Sequence, residues 1–184
     1  MVVASVALVV TSPLALLAAP NTGPNRIVHQ AARIVLAALR SVPEIIMGII
    51  FVAAVGFGAL PGVLALALHS VGMVGKFYAE AIEHVDPRPL EAARAAGASP
   101  FQVITHAVMP QVLPQLADIT IYRWEYHFRA SAVLGIVGAG GIGFELIAAL
   151  RIIRYDQVSA ILLTILLCVI VVDGIGARLR KYGL

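Results

Sequence analysis

The chain has 184 residues, of which 60% are hydrophobic and only 12% are charged. Because a soluble domain carries about 25% charged residues, this composition excludes an ordinary soluble protein. The apolar runs are continuous and do not alternate, which predicts transmembrane helices. The single cysteine, Cys168, excludes a disulfide framework or a thiol metal site within one chain. We attribute the net charge of +3 to cytoplasmic loops and not to a nucleic-acid surface.

The first apolar run covers residues 1–19, carries no charge and is long enough to span a bilayer. A signal peptide is the alternative, but no basic segment precedes the run and no clear cleavage site closes it. We therefore predict a first span at 1–19. The sequence begins inside this run, which leaves open one more span upstream.

A polar turn follows at residues 20–24, and the next segment has the pattern of an amphipathic helix. We expect this helix at the inner membrane surface, and a role in gating is the alternative. Its polar residues fall on one face: Arg26, His29, Gln30, Arg33 and Arg40.

Residues 45–75 form one run without a charged side chain, and this run is too long for a single span. Glycine and proline at 58–62 break the run, so we predict two spans, at 42–59 and 62–84. Lys76 and Glu80 lie one helical turn apart near the inner end of the second span and are expected to pair.

Residues 86–111 form the longest stretch with little tendency to enter a bilayer, and we predict two short helices there. Asp86 can cap the first helix and Gly97 can end it. Ser99 can start a second short helix, which we expect to end near Pro110. The first helix is lined with alanine, and small side chains let another backbone approach closely. We therefore expect it to dock in a groove on a partner protein.

The predicted span 112–137 carries Arg123, Glu125 and Arg129 near its middle. Charges at that depth cost several kcal/mol unless they are paired or hydrated. Glu125 and Arg129 are four residues apart in the favourable order for pairing. Two interpretations remain open: ion pairs that lock this helix to its neighbours, or a positive patch along a water-filled path for an anion.

Residues 138–143 fit the pattern G-x-G-x-x-G, but they follow an apolar helix and not a strand. We therefore predict a tight chain reversal at the outer membrane face and not a dinucleotide site. A short amphipathic helix at 144–154 and a last span at 157–177 complete the chain. The predicted inner segments carry eight Lys and Arg residues, whereas the outer side carries only Arg151 and Arg154. This asymmetry places the 86–111 loop and the C-terminus in the cytoplasm.

The 86–111 loop also resembles the EAA loop of ABC-transporter permeases. The pattern of that loop is E-A-A, three residues, G, nine residues and I-x-L-P. Ala107 and Met109 stand where the pattern has Ile and Leu. The resemblance implies that the loop is an ATPase-coupling loop, and the residues that carry it are Glu91, Ala92, Ala93, Gly97 and Pro110.

Segments 39–44, 80–83, 122–131 and 137–143 resemble the permease subunits of phosphonate-type ABC importers. This resemblance implies an all-α type I (MetI-like) importer permease with about five spans, located in the cytoplasmic membrane. It also implies pairing with a second copy, two cytoplasmic ATP-binding subunits and an extracytoplasmic substrate-binding protein. The sequence has no P-loop, so we expect no cofactor on this chain and ATP with Mg²⁺ on the partner.

The implied function is the import of phosphonate or a related phosphorus oxyanion, without an enzymatic activity on this chain. Phosphite, a phosphate ester or another small anion is the alternative substrate. A membrane-embedded enzyme using His127, Glu125 and the arginines is a further alternative.

Overall fold

The computed structural model describes residues 11–20 and 25–183, and this part of the chain contains helices and no strands. Most of the predicted span 1–19 lies outside the described residues. The helices are 11–18 (α1), Arg26–Ser41 (α2), Glu44–Val55 (α3), Ala59–Glu83 (α4), Pro87–Ala95 (α5), Pro100–Val103 (α6), Met109–Ile136 (α7), Ile142–Arg151 (α8) and Tyr155–Gly183 (α9).

Helix α4 lies at the centre of the bundle and contacts α2, α3 and α7. Its glycines allow close approach of the neighbouring backbone. A Cβ atom at Gly72 would lie 2.9 Å from both the Arg40 nitrogen and the Leu39 Cβ atom, and Gly75 faces Leu36. Near the end of α4, Lys76 Nζ lies 3.2 Å from Glu80 Oε1, which confirms the predicted pair.

We expect Gly72→Val to destabilise the protein by about 1–3 kcal/mol, because overpacking of a tight interface has that cost. The atom nearest to the new side chain is a backbone nitrogen of α2, which cannot move aside as a flexible side chain can. Thermal unfolding of the purified protein in detergent measures the effect. Gly174→Val in α9 is the matched control, because no atom among the described residues lies within 4 Å of its Cβ position. Equal unfolding temperatures for the two variants would contradict the tight α2–α4 contact.

A sharp bend separates α2 from α3. Pro43 disfavours a helical conformation at the residue before it, and Val42 is accordingly extended. Helix α3 has 12 residues, about 18 Å at 1.5 Å per residue. Helix α3 is therefore shorter than the span predicted at 42–59, and alone it does not reach across a hydrocarbon core of about 30 Å. The span itself stays a prediction. Helices α2 and α3, bent by 80°, together meet the length and apolarity of one span.

Within the described residues, two single helices are long and apolar enough to cross a membrane: Ala59–Glu83 and Tyr155–Lys181. They correspond to the spans predicted at 62–84 and 157–177. Helix α7, at the span predicted at 112–137, has 28 residues but carries four charged ones. The number of spans remains a prediction.

The 86–111 loop begins as predicted. The Asp86 carboxylate accepts a hydrogen bond from the Arg88 N–H at 3.0 Å, and Ser99 forms a capping box with Gln102. Gly97 has φ +81°, a left-handed conformation that favours glycine. The Ala98 N–H donates to the Ala93 carbonyl at 3.0 Å, which closes the end of α5.

The predicted end of the second loop helix near Pro110 is wrong. The chain passes from α6 through a π-helical turn, Ile104–Val108, directly into α7. Pro110 lies in the first turn of α7, where a backbone N–H is not required. The loop is therefore continuous with α7, without a break between them.

The glycine-rich segment at 138–143 forms the predicted chain reversal. Gly138, Gly140 and Gly141 have φ between +75° and +89°, and α8 then folds back on α7, where Gly143 packs against Gly135 and Ala132. The Gly58 N–H donates to the Gly138 carbonyl at 3.2 Å, which joins this turn to the turn before α4.

Candidate functional site

The first candidate surface is the outward face of α5. Glu91, Ala92 and Gly97 are exposed, and nothing among the described residues lies within 4 Å of a Cβ position at Gly97. Ala93 is half-buried and packs inward, and Pro110 is exposed at the start of α7. The face therefore combines small side chains with a carboxylate, and it is open to a partner.

The inward face of α5 is firmly packed. Leu90 is buried in one cluster with Val103 and Val108 of the segment before α7 and with Tyr78 and Ile82 of α4. Leu90 therefore joins α5 to the cluster that α4 and the segment before α7 share.

Gln111 fastens the two ends of the loop. Its Oε1 atom accepts from the Asp86 N–H at 3.0 Å, and its Nε2 atom donates to the Ala107 carbonyl at 2.7 Å. The start of α5 is therefore held to the first turn of α7, at the residue that follows Pro110.

The charged residues of α7 form the second candidate site, and three of them pair with α9. Asp118 Oδ1 lies 3.9 Å from Arg180 Nε. Arg180 Nη2 lies 2.9 Å from Glu125 Oε1, and Arg129 Nη1 lies 2.9 and 3.0 Å from the two Asp173 oxygens. These contacts show that α7 and α9 run in opposite directions. The favourable spacing of Glu125 and Arg129 does not produce a pair between them, because each finds a partner on α9.

Arg123 lies on a different side of α7 and is buried, with only 4% of its surface exposed. Its guanidinium carbon lies 4.4 Å from the centre of the Tyr126 ring, a cation–π geometry. The Tyr126 hydroxyl donates to Glu44 Oε1 at 2.6 Å. Glu44 Oε2 in turn lies 3.7 Å from His69 Nε2, and His69 Nδ1 lies 3.3 Å from the Val42 carbonyl. The His127 ring lies edge-on to the Tyr126 ring, with 6.2 Å between the ring centres. We call Glu44, His69, Arg123, Tyr126 and His127 the polar cluster.

The polar cluster joins α3, α4 and α7 next to the bend after Val42. Sequence reasoning identified Arg123 but missed Glu44 and His69, because only the packing of three helices brings them together. It also missed Arg180 as the partner of Glu125. Within the described residues no group of three His, Cys, Asp or Glu side chains is arranged to hold a metal ion.

Two curated proteins are closely similar in sequence. The chain is 67% identical over 178 residues to the phosphite transport system permease protein PtxC of Stutzerimonas stutzeri, covering 97% of this chain and 65% of that protein. It is 44% identical over 177 residues to the phosphate-import permease protein PhnE of Mycolicibacterium smegmatis, covering 96% and 33%. The chain therefore spans less than two thirds of the length of these relatives.

The fold is similar to that of a solved transporter. A structure of inward-facing conformations of the MetNI methionine ABC transporter matches with a TM-score of 0.80 at 21% identity, covering 98% of this chain and 88% of that one. This likeness confirms the all-α, MetI-like permease fold. A protein-family model described as "Binding-protein-dependent transport system inner membrane component" matches residues 11–181. The chain belongs to this family of inner-membrane transport components.

Proposed function

We propose that this chain is the membrane-spanning permease subunit of an ATP-driven importer for phosphite, a phosphonate or a related phosphorus oxyanion. It acts as a multi-pass protein of the cytoplasmic membrane and pairs with a second copy. Two cytoplasmic subunits supply ATP and Mg²⁺, and an extracytoplasmic binding protein delivers the substrate. Relatives named for phosphite and phosphate transport support the substrate class.

The main support for the coupling role is the exposed, alanine-lined face of α5. The opposite face of this helix is packed against the rest of the protein. Docking of an ATP-binding subunit on Ala92 and Gly97 moves α5, and the buried Leu90 transmits the movement to α4 and α7. Glu91 remains on the exposed side for contact with the partner. ATP binding in the partner then rocks the helices so that the path opens alternately to each side.

The experiment is uptake into vesicles that contain the permease, its ATP-binding partner and its binding protein. We expect ATP-dependent accumulation of radiolabelled phosphite, with competition by methylphosphonate and phosphate to rank the three oxyanions. Another small anion as the preferred substrate is the remaining alternative. Because the family is a transport component, a membrane-embedded enzyme is not supported.

The orientation can be tested with single cysteines in a Cys168→Ser background. We expect Arg151→Cys to react with a membrane-impermeant maleimide in spheroplasts, because basic residues are fewer on the outer side. Arg88→Cys, in the 86–111 loop, is expected to react only after permeabilisation. Labelling of Arg88→Cys in intact spheroplasts would reverse the proposed orientation and exclude docking of a cytoplasmic partner.

A further inference from the structure

Arg123 is a buried cation whose hydrogen-bonding capacity is largely unused. Its Nε and Nη2 atoms are buried and have no hydrogen-bond partner among the described residues. A buried guanidinium is costly unless a counter-ion accepts its hydrogen bonds, and stacking on Tyr126 supplies none. The planar fork of this side chain is suited to two oxygens of one carboxylate or phosphate-like group.

His127, one helical turn further along α7, also has buried nitrogen atoms without hydrogen-bond partners among the described residues. It is 9% exposed, and neither ring nitrogen has a partner in the described part of the chain. The other two charged residues of this region differ, because Glu125 and Arg129 are each paired with α9. Among the described charged and histidine side chains of α7, the buried donors without a partner are therefore those of Arg123 and His127.

Glu44 supplies the carboxylate of the polar cluster, in which the Tyr126 ring lies against the Arg123 guanidinium. Its hydrogen bond, however, is with Tyr126, and its Oε2 atom lacks a hydrogen-bond partner among the described residues. Glu44 directly follows the Pro43 bend, so a change in the angle between α2 and α3 moves its carboxylate relative to α7. The structure thus holds a cation and a carboxylate close together without a direct bond between them.

We propose that Arg123 and His127 bind the transported phosphorus oxyanion within each copy, and that Glu44 balances the charge of Arg123 when no anion is bound. Two oxygens of the oxyanion accept from the guanidinium, and a third accepts from the imidazole N–H. The arriving anion displaces Glu44, which moves away with α3. This inference rests on the proposed function and names the position that recognises its substrate.

The test is phosphite binding to the assembled complex of permease and ATP-binding subunits, without the binding protein, by equilibrium titration. We expect Arg123→Gln to weaken phosphite binding about tenfold or more, since hydrogen bonds to charged groups are among the stronger ones. Arg123→Lys should recover part of the affinity, because it retains the charge but lacks the fork. Arg178→Gln, which changes an exposed arginine of α9, is the control, and its affinity should stay within about threefold of wild type.

Glu44→Gln gives a second variant that keeps the acceptor for Tyr126 and removes the competing charge. We expect the Glu44→Gln complex to bind phosphite more tightly than the wild type. If Arg123→Gln fails to assemble, the phosphite affinity of an intact Glu44→Gln complex still tests the inference. Unchanged affinity in Glu44→Gln, or in an assembled Arg123→Gln complex, would overturn the inference. So would the absence of saturable phosphite binding by the wild-type complex.

Vesicle uptake separates this inference from the proposed function. If wild-type vesicles accumulate no phosphorus oxyanion, the proposed function fails. If the wild type and Arg123→Gln accumulate phosphite equally, the importer assignment stands and the binding position fails.

Discussion

Replacing Gly97 with valine is expected to abolish ATP-driven uptake, with a loss of at least about tenfold. Gly97 has φ +81°, where a β-branched residue is strained by about 1–2 kcal/mol. Relief of that strain would rotate α5 out of its present direction and displace the exposed face that carries Glu91 and Ala92. We expect ATP hydrolysis to continue without transport, or the ATP-binding subunits to be lost on purification. Parallel measurement of uptake and hydrolysis in vesicles distinguishes these results.

Gly97→Asn is the matched variant, because asparagine tolerates the left-handed conformation. Space around the Cβ position is open within the described chain, so this variant adds bulk with little backbone strain. If Asn retains uptake and Val does not, the backbone conformation is the cause. If both lose uptake, the new side chain collides with the partner. Normal coupling in Gly97→Val would remove the support for α5 as the coupling element.

Replacing Arg180 with methionine is expected to destabilise the protein by about 3 kcal/mol, near the lower end of the range for removing one partner of a buried ion pair. The Glu125 side chain is 6% exposed and would keep its charge without a counter-ion, whereas Arg180 is 32% exposed, which reduces the effect. Glu125 also packs closely against Gly176 of α9. Thermal unfolding in detergent and the yield of monodisperse protein measure the loss.

The double variant Glu125→Gln with Arg180→Met should recover most of that stability, because no buried unpaired charge remains and Asp118, the other partner of Arg180, is half-exposed. Arg178→Met is the control, since Arg178 is exposed on the same helix. Additive losses in the double variant would show that the two residues do not stabilise each other. The α7–α9 contact would then depend on apolar packing and on the Arg129–Asp173 pair.

Local features of the sequence predicted the 86–111 loop well. The cap at Asp86, the stop at Gly97 and the start at Ser99 depend on neighbouring residues, and the structure contains all three. The expected end at Pro110 failed because a π-helical turn accommodates the proline at the start of a longer helix. A rule that treats each proline as a helix end does not anticipate this.

The partners of the charged residues could not be predicted in the same way. The sequence identified Glu125 and Arg129 as residues that need counter-ions. Their spacing of four residues suggested that they pair with one another. Their partners on α9 follow from the antiparallel packing of two helices, and the paired residues are 44 and 55 positions apart in the sequence. For the same reason, Glu44 and His69 were not connected with Arg123, since each lies on a different helix of the polar cluster.

The two bonds of Gln111 set the size of the piece that can be exchanged between related permeases. A chimera that receives only residues 86–110 from another permease would keep Gln111 of this chain beside a foreign loop. The hydrogen bond between positions 86 and 111 would then join residues from two different proteins. Transplanting residues 86–111 carries both ends of that link together. A chimera designed to change which ATP-binding subunit the loop contacts should therefore include Gln111 in the exchanged segment.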